Sequence, residues 1–444
     1  MTNADVVVRA GRVVTAAGVI DADVAVADGR ISEVGPRLEV DAAEQIDAAG
    51  LHVFPGGVDA HVHFNEPGRT DWETIACGSA ALAAGGYTSF VDMPLNSLPV
   101  TVDAAAFDLK LAAAEKSAIV DFGIWGGLVP GNVDELDALV DRGVLGFKAF
   151  MCASGIDEFP ACDSITLREG MTRVARRGSI LLVHAEDPVV LDEHVSAFRS
   201  TTAGDFVRSR PPDAELAAIA HAIELAAETA CRLHIVHVTT LAGMELIRAA
   251  QGRGVDVSGE TCPHYLLYVQ EDLERLGGVG KCFPPFRTAA DRDGLWRLLS
   301  RGLLPMVVSD HSPSTRELKE GDDFFKIWGG LSGCQSTRQL LLARSLDARR
   351  LAAATATNVA RRFGLESKGE IAPGFDADLW LVDLTHTGVV KGEDLFYKNR
   401  FSVHEGQPVR GRTVRTMVRG RTVFAGGEVV ADSGGRFMRP AAAR

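Results

Sequence analysis

The sequence predicts an α/β protein in which a (β/α)8 barrel of the TIM type carries a small β-sandwich built from both termini. In the middle of the chain, eight apolar strand-like runs alternate with stretches rich in Ala, Leu, Glu and Arg, as in parallel βαβ units. Both ends hold short β-type runs divided by turn residues. The alternative is a doubly wound open sheet, but no G-x-G-x-x-G or Walker A pattern follows a strand to support its usual nucleotide site.

The change of pattern along the chain sets the expected domain boundaries. Residues 1–52 are predicted to form the N-terminal part of the sandwich, residues 53–365 the barrel, and residues 366–444 the C-terminal part of the sandwich and a tail. The predicted barrel strands are Gly57–Phe64, Tyr87–Met93, Val120–Leu128, Val144–Phe150, Ile180–His184, Leu233–Val238, Val255–Thr261 and Pro305–Asp310. The predicted helices include Trp72–Ala84, Ala104–Ser117, Val133–Arg142, Ile165–Arg177, Ala214–Ala230, Leu241–Gln251 and Asp291–Arg301.

Composition narrows the class of protein. The 444 residues are 46% hydrophobic and 24% charged, which is typical of a soluble globular protein. The net charge of −13 argues against nucleic acid or an anionic membrane as a partner, because either requires a basic surface. Seven scattered cysteines without a C-x-x-C pair indicate reduced thiols, and the N-terminus lacks the layout of a signal peptide. We therefore expect a cytoplasmic protein whose partner is a small molecule.

The first predicted barrel strand carries a His-x-His pair. His61 and His63 alternate with Ala60 and Val62, so both imidazoles face the same side of the strand. Two imidazoles a few ångströms apart suit one metal ion. The pair alone is a weak signal, since two histidines at this spacing are more often ordinary exposed or core residues.

Four further ionisable residues stand in or at the ends of other predicted strands. The carboxyl ends of barrel strands meet at one mouth, where active sites lie. Lys148 lies within an apolar run, where burial favours its neutral amine, a form that can take up carbon dioxide to give a carbamate. Each residue has an innocent alternative, such as a hydrogen-bonded buried histidine or a lysine that reaches solvent. Together they predict a metal centre made of His61, His63, Lys148, His184, His237 and Asp310.

Six motifs in this order resemble those of the cyclic amidohydrolases, a family that includes dihydroorotases, hydantoinases, dihydropyrimidinases and allantoinases. The motifs are D-A-H-V-H-F-N-E-P-G at 59–68, G-F-K-A-F at 146–150, L-V-H-A-E at 182–186, I-V-H-V-T at 235–239, V-S-D-H-S-P at 308–313 and G-E-I-A-P-G-F-D-A-D-L at 369–379. The resemblance covers nearly the whole chain and implies a hydrolase that opens cyclic amides.

The resemblance also implies a binuclear metal site. His61, His63 and Asp310 would hold the more buried ion, and His184 and His237 the second. Zinc is favoured by imidazole and carboxylate ligands, although iron, manganese or cobalt fit the same set.

Two further expectations concern Lys148 and Asp310. The resemblance implies that Lys148 is N6-carboxylated and bridges both ions, while Asp310 moves the proton during hydrolysis. The same resemblance implies a homotetramer.

The substrate is inferred from the loops. Asn65 stands where dihydroorotases usually carry a carboxylate-binding Arg, and no Tyr follows Lys148 before Pro160, where hydantoinases and dihydropyrimidinases usually have one. The loops at 63–69, 92–97, 151–160 and 326–333 resemble those of allantoinases, which implies the conversion of allantoin and water to allantoate. Candidate substrate contacts are Asn65, Asn96, Ser154, Gly155 and Pro284, and the alternative for each is a turn or capping role.

Three rival functions remain at this point. A hydantoinase or dihydropyrimidinase is the nearest, and a dihydroorotase is more distant. A non-catalytic scaffold of the same fold is disfavoured because all six predicted ligands are present.

Overall fold

The N-terminal segment is a set of β-strands. The structure, a computed structural model, describes residues 2–198 and 200–441. The prediction of a tail that continues to Arg444 therefore extends beyond the described residues. The first strands are β1 (Thr2–Val14), β2 (Val19–Ala27), β3 (Arg30–Gly35), β4 (Val40–Asp47) and β5 (His52–Pro55).

The middle of the chain forms the barrel. Its inner strands are buried along nearly their whole length, as strands covered on both faces by the sheet interior and by helices should be. In order they are β6 (Gly57–Val62), β7 (Tyr87–Asp92), β8 (Asp121–Ile124) with β9 (Gly126–Gly127), β10 (Phe147–Phe150), β11 (Ile180–His184), β12 (Arg232–Ile235), β13 (Val257–Thr261) and β14 (Met306–Val307).

Parallel pairing runs around the barrel in chain order. β6, β7 and β8 form one ladder, and β9 to β14 form another. Trp125 separates β8 from β9, and its backbone N–H donates to the carbonyl of Asp92 at 3.0 Å. The first and last strands meet where Val62 bridges His311 and the His63 N–H donates to the His311 carbonyl at 2.8 Å. The predicted barrel is confirmed.

Several strands end earlier than predicted, and the difference is largest for β12 and β14. β12 stops at Ile235 although the apolar run continues to Val238, and β14 stops at Val307. The reason is local backbone conformation, because His237 (φ +38°) and Asp310 (φ +48°) adopt left-handed geometry that a strand cannot accommodate. The Ser309 N–H accordingly donates to the Asp59 carboxylate at 3.2 Å. Both breaks occur at predicted metal ligands.

Helices connect the strands, and several begin at capping side chains. Thr74 accepts a hydrogen bond from the Cys77 N–H, which sets the first helix start three residues later than Trp72. The α-helices are Ile75–Ala84, Ala104–Ser117, Leu136–Arg142, Ser164–Arg176, Pro188–Ala197, Ala203–Arg208, Pro212–Thr229, Leu241–Gly252, Pro263–Leu267, Asp272–Leu276, Ala289–Ser300, Thr337–Ala343, Ala348–Ala352 and Asn358–Arg362. Within residues 2–198 and 200–441, no helix has the length and apolar character needed to cross a membrane.

Both termini contribute to one nine-stranded sheet, as the sequence predicts. The C-terminal strands are β15 (Leu379–Val389), β16 (Pro408–Val418), β17 (Arg421–Ala425) and β18 (Glu428–Val429). The sheet order is β18-β17-β16-β15-β5-β1-β2-β3, with β4 beside β1. The two contributions join where β5 pairs antiparallel with β15, Val53 facing Leu381. Val53, Leu381 and Met417 share one buried cluster drawn from both ends of the chain.

Candidate metal centre

The six predicted ligands surround one cavity at the carboxyl ends of the barrel strands. The cavity has a volume of about 210 Å³, and His61, His63, Lys148, His184, His237 and Asp310 all line it. The prediction that these residues meet was based on strand ends alone, and the fold brings all six to the same cavity.

One half of the centre joins β6 to the segment after β14. The Asp310 Oδ1 atom lies 3.1 Å from His61 Nε2 and 3.5 Å from His63 Nε2. Behind His61, the Nδ1 atom lies 2.7 Å from Glu260 Oε1. Burial raises the pKa of Glu260 to about 8 and holds the pKa of His61 well below its ordinary value. Glu260 therefore engages one ring nitrogen of a neutral imidazole while the other faces Asp310.

The second half joins β11 to the loop after β12. His184 Nδ1 lies 3.0 Å from His237 Nε2, and the Phe150 ring stacks on His184 with centroids 4.6 Å apart. Burial lowers the pKa of both histidines, so both are neutral near pH 7, the form that binds metals. On its far side, His184 Nε2 lies 2.7 Å from Glu186 Oε2.

Lys148 lies in β10 and reaches the same cavity. Its side chain is buried, and its Nζ atom has no hydrogen-bond partner among the described residues. Its ammonium group lies 4.9 Å from the centroid of the Phe150 ring. Burial lowers the pKa of Lys148 to about 7, although Asp310 and Glu260 oppose the shift. A buried amine with no partner, beside four imidazoles and a carboxylate, is suited to chemistry that uses its lone pair.

These residues fit a pair of divalent cations. The ligand atoms of His61, His63 and Asp310 lie within 4.8 Å of one another, which is close enough to hold one ion. The facing nitrogens of His184 and His237 supply a second pair of atoms that could bind a metal ion. If the histidines had a purely structural role, nothing would explain why the buried Lys148 amine lies beside them without a hydrogen-bond partner among the described residues.

Three of the five predicted substrate contacts line the cavity. These are Asn96, Ser154 and Gly155. The Asn96 amide donates to Ser312 Oγ at 3.3 Å, and Ser312 also lines the cavity. The Ser154 hydroxyl donates to the Phe159 carbonyl at 2.6 Å, so it stabilises its own loop, as the turn alternative expected.

The other two candidates lie outside the residues that line the cavity. Asn65 is fully buried, and its Nδ2 donates to the Pro313 carbonyl at 3.3 Å. The Pro284 carbonyl accepts from the Tyr265 hydroxyl at 2.6 Å. From the 281–287 loop, Cys282 and Phe283 line the cavity instead of Pro284.

Sequence reasoning missed most of the cavity wall and the carboxylates behind the histidines. The wall includes Leu95, Lys281, Cys282, Phe283, Ser312, Phe325, Ile327 and Trp328. These residues come from separate loops and follow no spacing rule. Glu186 and Glu260 did carry a signal, since each is a charged residue in or next to a buried strand, where an unpaired carboxylate is rare.

Comparison with known proteins decides the family. A model of the amidohydrolase family matches residues 52–423, which is most of the chain. The chain belongs to the amidohydrolase family. The prediction of a cyclic amidohydrolase, made from six motifs, is confirmed.

Several members of this family resemble the chain over nearly its full length. The protein named allantoinase in Rubrobacter xylanophilus is 53% identical over 449 aligned positions, covering 99% of this chain and 98% of that protein. The protein of the same name in Deinococcus radiodurans is 43% identical over 444 positions, covering 98% of this chain and 99% of its own.

Solved structures of the family show the same fold. The L-hydantoinase (dihydropyrimidinase) of Arthrobacter aurescens superposes with a TM-score of 0.95 at 34% identity, covering 98% of this chain and 99% of that one. The dihydropyrimidinase of Brevibacillus agri gives a TM-score of 0.91 at 31% identity and covers 99% of both chains. The (β/α)8 barrel with a β-structure from both termini is thus the fold of this amidohydrolase.

Proposed function

We propose that this amidohydrolase is a binuclear metal enzyme that hydrolyses allantoin to allantoate. The observation that carries the proposal is the buried Lys148 amine, which has no partner among the described residues and lines one cavity with four histidines and Asp310. The substrate is supported by relatives named allantoinase that are 40–53% identical over nearly the full chain. We further propose a cytoplasmic homotetramer, an assembly that sedimentation of the purified protein would test.

Each residue of the centre has a defined role in this proposal. His61 and His63 with Asp310 would hold one ion, and His184 with His237 would hold the other. The Lys148 amine would add to carbon dioxide and lose one proton, and the resulting carbamate would supply a further oxygen ligand to the metal centre. Zinc is the favoured metal because imidazole and carboxylate are its usual ligands.

The reaction follows from general acid–base chemistry. Bound divalent ions supply Lewis acidity, which lowers the pKa of a water molecule and polarises an amide carbonyl. The water oxygen bonds to the carbonyl carbon while Asp310 accepts the proton that the water releases. Asp310 then returns the proton to the ring nitrogen as the C–N bond breaks, and the ring opens to a free urea end and a carboxylic acid, which ionises by losing its proton to solvent.

The cavity wall suits a neutral substrate. Allantoin is a hydantoin ring with a ureido arm, and both present amide donors and acceptors. Asn96 and Ser312 form a hydrogen-bonded polar pair on the wall, and the backbone at Gly155 is open to the cavity. We assign these groups to the ureido arm and the ring amides, with Phe283 and Trp328 as the apolar surfaces.

A hydantoinase or dihydropyrimidinase is the second candidate, and the structural likeness at 34% identity favours it. The sequence lacks the Tyr that those enzymes usually carry after the bridging lysine. The first hydroxyl after Lys148 in the chain, on Ser154, already donates its one proton within its own loop, to the Phe159 carbonyl at 2.6 Å. Recognition of a plain hydantoin at this loop would therefore lack a side-chain donor.

The deciding experiment compares four substrates. Protein supplied with zinc and bicarbonate is tested on allantoin, a 5-substituted hydantoin, dihydrouracil and dihydroorotate, and bound metal is measured on the same samples. We expect turnover of allantoin above all others and two ions per chain. Lys148→Ala should abolish turnover, whereas Lys391→Ala, which removes an exposed lysine, should not change it.

The possible results separate the parts of the proposal. Turnover of hydantoins or dihydrouracil in place of allantoin would keep the metal centre and overturn the substrate assignment. Full activity of Lys148→Ala, or a wild-type protein that holds no divalent ion after loading, would overturn the metal mechanism.

A further inference from the structure

A buried ion pair lies directly behind one of the predicted metal ligands. The Arg210 guanidinium grips the Glu186 carboxylate with two nitrogens, Nε lying 3.0 Å from Oε1 and a terminal nitrogen bonding Oε2. The Glu186 side chain is fully buried and that of Arg210 is 13% exposed. A fork-to-carboxylate contact of this kind fixes the orientation of both groups.

This ion pair controls which nitrogen of His184 carries a proton. The Glu186 carboxylate can only accept a hydrogen bond while Arg210 holds it ionised, and its Oε2 lies 2.7 Å from His184 Nε2. The proton of the neutral ring is therefore on Nε2. The lone pair is then on Nδ1, which faces His237 Nε2 at 3.0 Å.

Arg210 also touches the cavity wall. Its guanidinium lies 4.6 Å from the centroid of the Phe283 ring, and Phe283 lines the cavity. Its backbone carbonyl accepts a hydrogen bond from Arg287 at 2.5 Å, which anchors the segment that carries it. The guanidinium thus contacts both Glu186 and the cavity wall, and the backbone that carries it is anchored by Arg287.

The other half of the centre has its own, separate support. His61 Nδ1 meets Glu260 at 2.7 Å, so the carboxyl group of Glu260 holds the ring of that ligand as well. Glu260 has no arginine among its contacts in the described residues, and Glu186 does. A change at Glu186 or Arg210 therefore acts on one half of the centre.

We propose that Glu186 and Arg210 are positioning residues that fix the tautomer and orientation of His184 and so set the affinity of the second metal ion. This inference rests on the proposed binuclear centre. Carboxylates that orient a ligating histidine typically contribute 10- to 100-fold to metal affinity. Loss of the Glu186–Arg210 pair should weaken the ion at His184 and His237 and leave the ion at His61 and His63 in place.

The test is a metal titration of the metal-free protein with cobalt, followed by its visible absorption, and with zinc by calorimetry. Glu186→Gln and Arg210→Met should each bind the first equivalent as wild type does and the second about 10- to 100-fold more weakly. Arg210→Lys keeps the charge but not the fork, and should fall between wild type and Arg210→Met. It also serves if the other variants do not fold.

The matched control is Asp378→Asn, which disturbs another buried carboxylate–cation pair, that with Lys368, far along the chain from His184. It should lower stability without changing either metal affinity. If Glu186→Gln and Arg210→Met bind both equivalents as tightly as wild type, the inference is wrong. It is also wrong if both equivalents weaken equally in the variants, since this is the behaviour of a general loss of structure.

The same titration separates this inference from the proposed function. A wild-type protein that binds fewer than two ions contradicts the binuclear centre itself, whatever the variants do. Two ions in wild type and unchanged binding in the variants contradict only the role of Glu186 and Arg210.

Discussion

Two buried lysines in this protein have opposite surroundings. Lys368, where the barrel meets the terminal sheet, places its Nζ within 2.5 Å of Asp121, 3.0 Å of Asp376 and 2.8 Å of Asp378. Lys148, at the mouth of the barrel, has no hydrogen-bond partner among the described residues. Both side chains are at least 95% removed from solvent, so the difference lies in their partners.

The pKa values follow the partners. Burial alone would lower the pKa of Lys368, but the three carboxylates outweigh burial and raise it. Burial lowers the pKa of Lys148 to about 7, because the more distant Asp310 and Glu260 do not offset it. A buried lysine with neutralising partners joins parts of a fold, whereas one without them is available for chemistry.

The largest effect is expected at Lys148. Lys148→Met keeps the shape and apolar contacts of the side chain but removes the amine, so ring opening should fall by about 1,000-fold or more, as when groups that act as a unit lose one member. Stability of the metal-free protein should stay equal or rise, since the change removes a buried polar group that has no hydrogen-bond partner among the described residues. Turnover and urea unfolding of the same preparations measure both.

A short carboxylic acid gives this prediction its internal control. Added formate or acetate should restore part of the activity to Lys148→Ala, where space for a carboxylate is left, and less to Lys148→Met, where the side chain fills it. Equal failure of both, with two ions still bound, would contradict a carboxylate role for Lys148.

The reverse result is expected at Lys368. Lys368→Met leaves Asp121, Asp376 and Asp378 buried without this cation, and breaking a buried ion pair typically costs about 3–5 kcal/mol. Arg419 still reaches Asp121, which limits the loss. Urea unfolding should show this destabilisation, while the metal content and turnover of the folded fraction stay at the wild-type level. A stable Lys368→Met variant would show that the cluster is not what holds the sheet to the barrel.

The sequence predicts that Lys148 belongs to the site, but it does not predict the ion pairs of Lys368. Lys148 stands out because it interrupts an apolar strand run, and the ends of neighbouring strands carry histidines that must meet at one mouth. Lys368 lies in a loop, and its three aspartates come from strand β8 and from the chain just before β15, a meeting that only the assembled fold creates. The order of strands and helices can be predicted for a similar reason. The apolar pattern that marks each strand or helix lies within a short stretch of sequence.

What escaped prediction is set by long-range contacts and by backbone strain. Arg210 reaches back to Glu186 across the two helices Pro188–Ala197 and Ala203–Arg208, and no spacing rule marks that pair. Strand ends at His237 and Asp310 were placed too late because an apolar run does not reveal a left-handed residue. The loop motifs predict Asn65 and Pro284 as substrate contacts, but their hydrogen bonds to Pro313 and Tyr265 depend on segments that are distant in sequence.

A third lysine, Lys319, lies between the two extremes. It is buried, and among the described residues its Nζ donates only to backbone carbonyls, those of Trp328 at 2.9 Å and of Gly330. Carbonyl dipoles satisfy its hydrogen bonds without neutralising its charge. Burial accordingly lowers the pKa of Lys319 from 10.5 to about 7.

The smallest expected effect is a change in how steeply the free energy of unfolding rises with pH. Between pH 7 and 10.5 the unfolded chain keeps the Lys319 proton that the folded protein has released, so the unfolded state binds more protons and stability rises with pH. Lys319→Met removes this contribution, and its unfolding free energy should rise less steeply, by up to about 1.4 kcal/mol per pH unit. Denaturant unfolding at pH 7, 8, 9 and 10 measures the difference.

Lys319→Met also loses the hydrogen bonds to two backbone carbonyls. This loss shifts the free energy of unfolding by an amount that does not depend on pH, so it does not affect the slope. Lys281, whose pKa burial lowers to about 8, adds to the slope of both proteins, and its charge helps to lower the pKa of Lys319. Lys391→Met changes an exposed lysine and should run parallel to wild type. Parallel curves for Lys319→Met as well would mean that the carbonyls of Trp328 and Gly330 keep its ammonium charged, and burial without a carboxylate would then not suffice to release a proton in this fold.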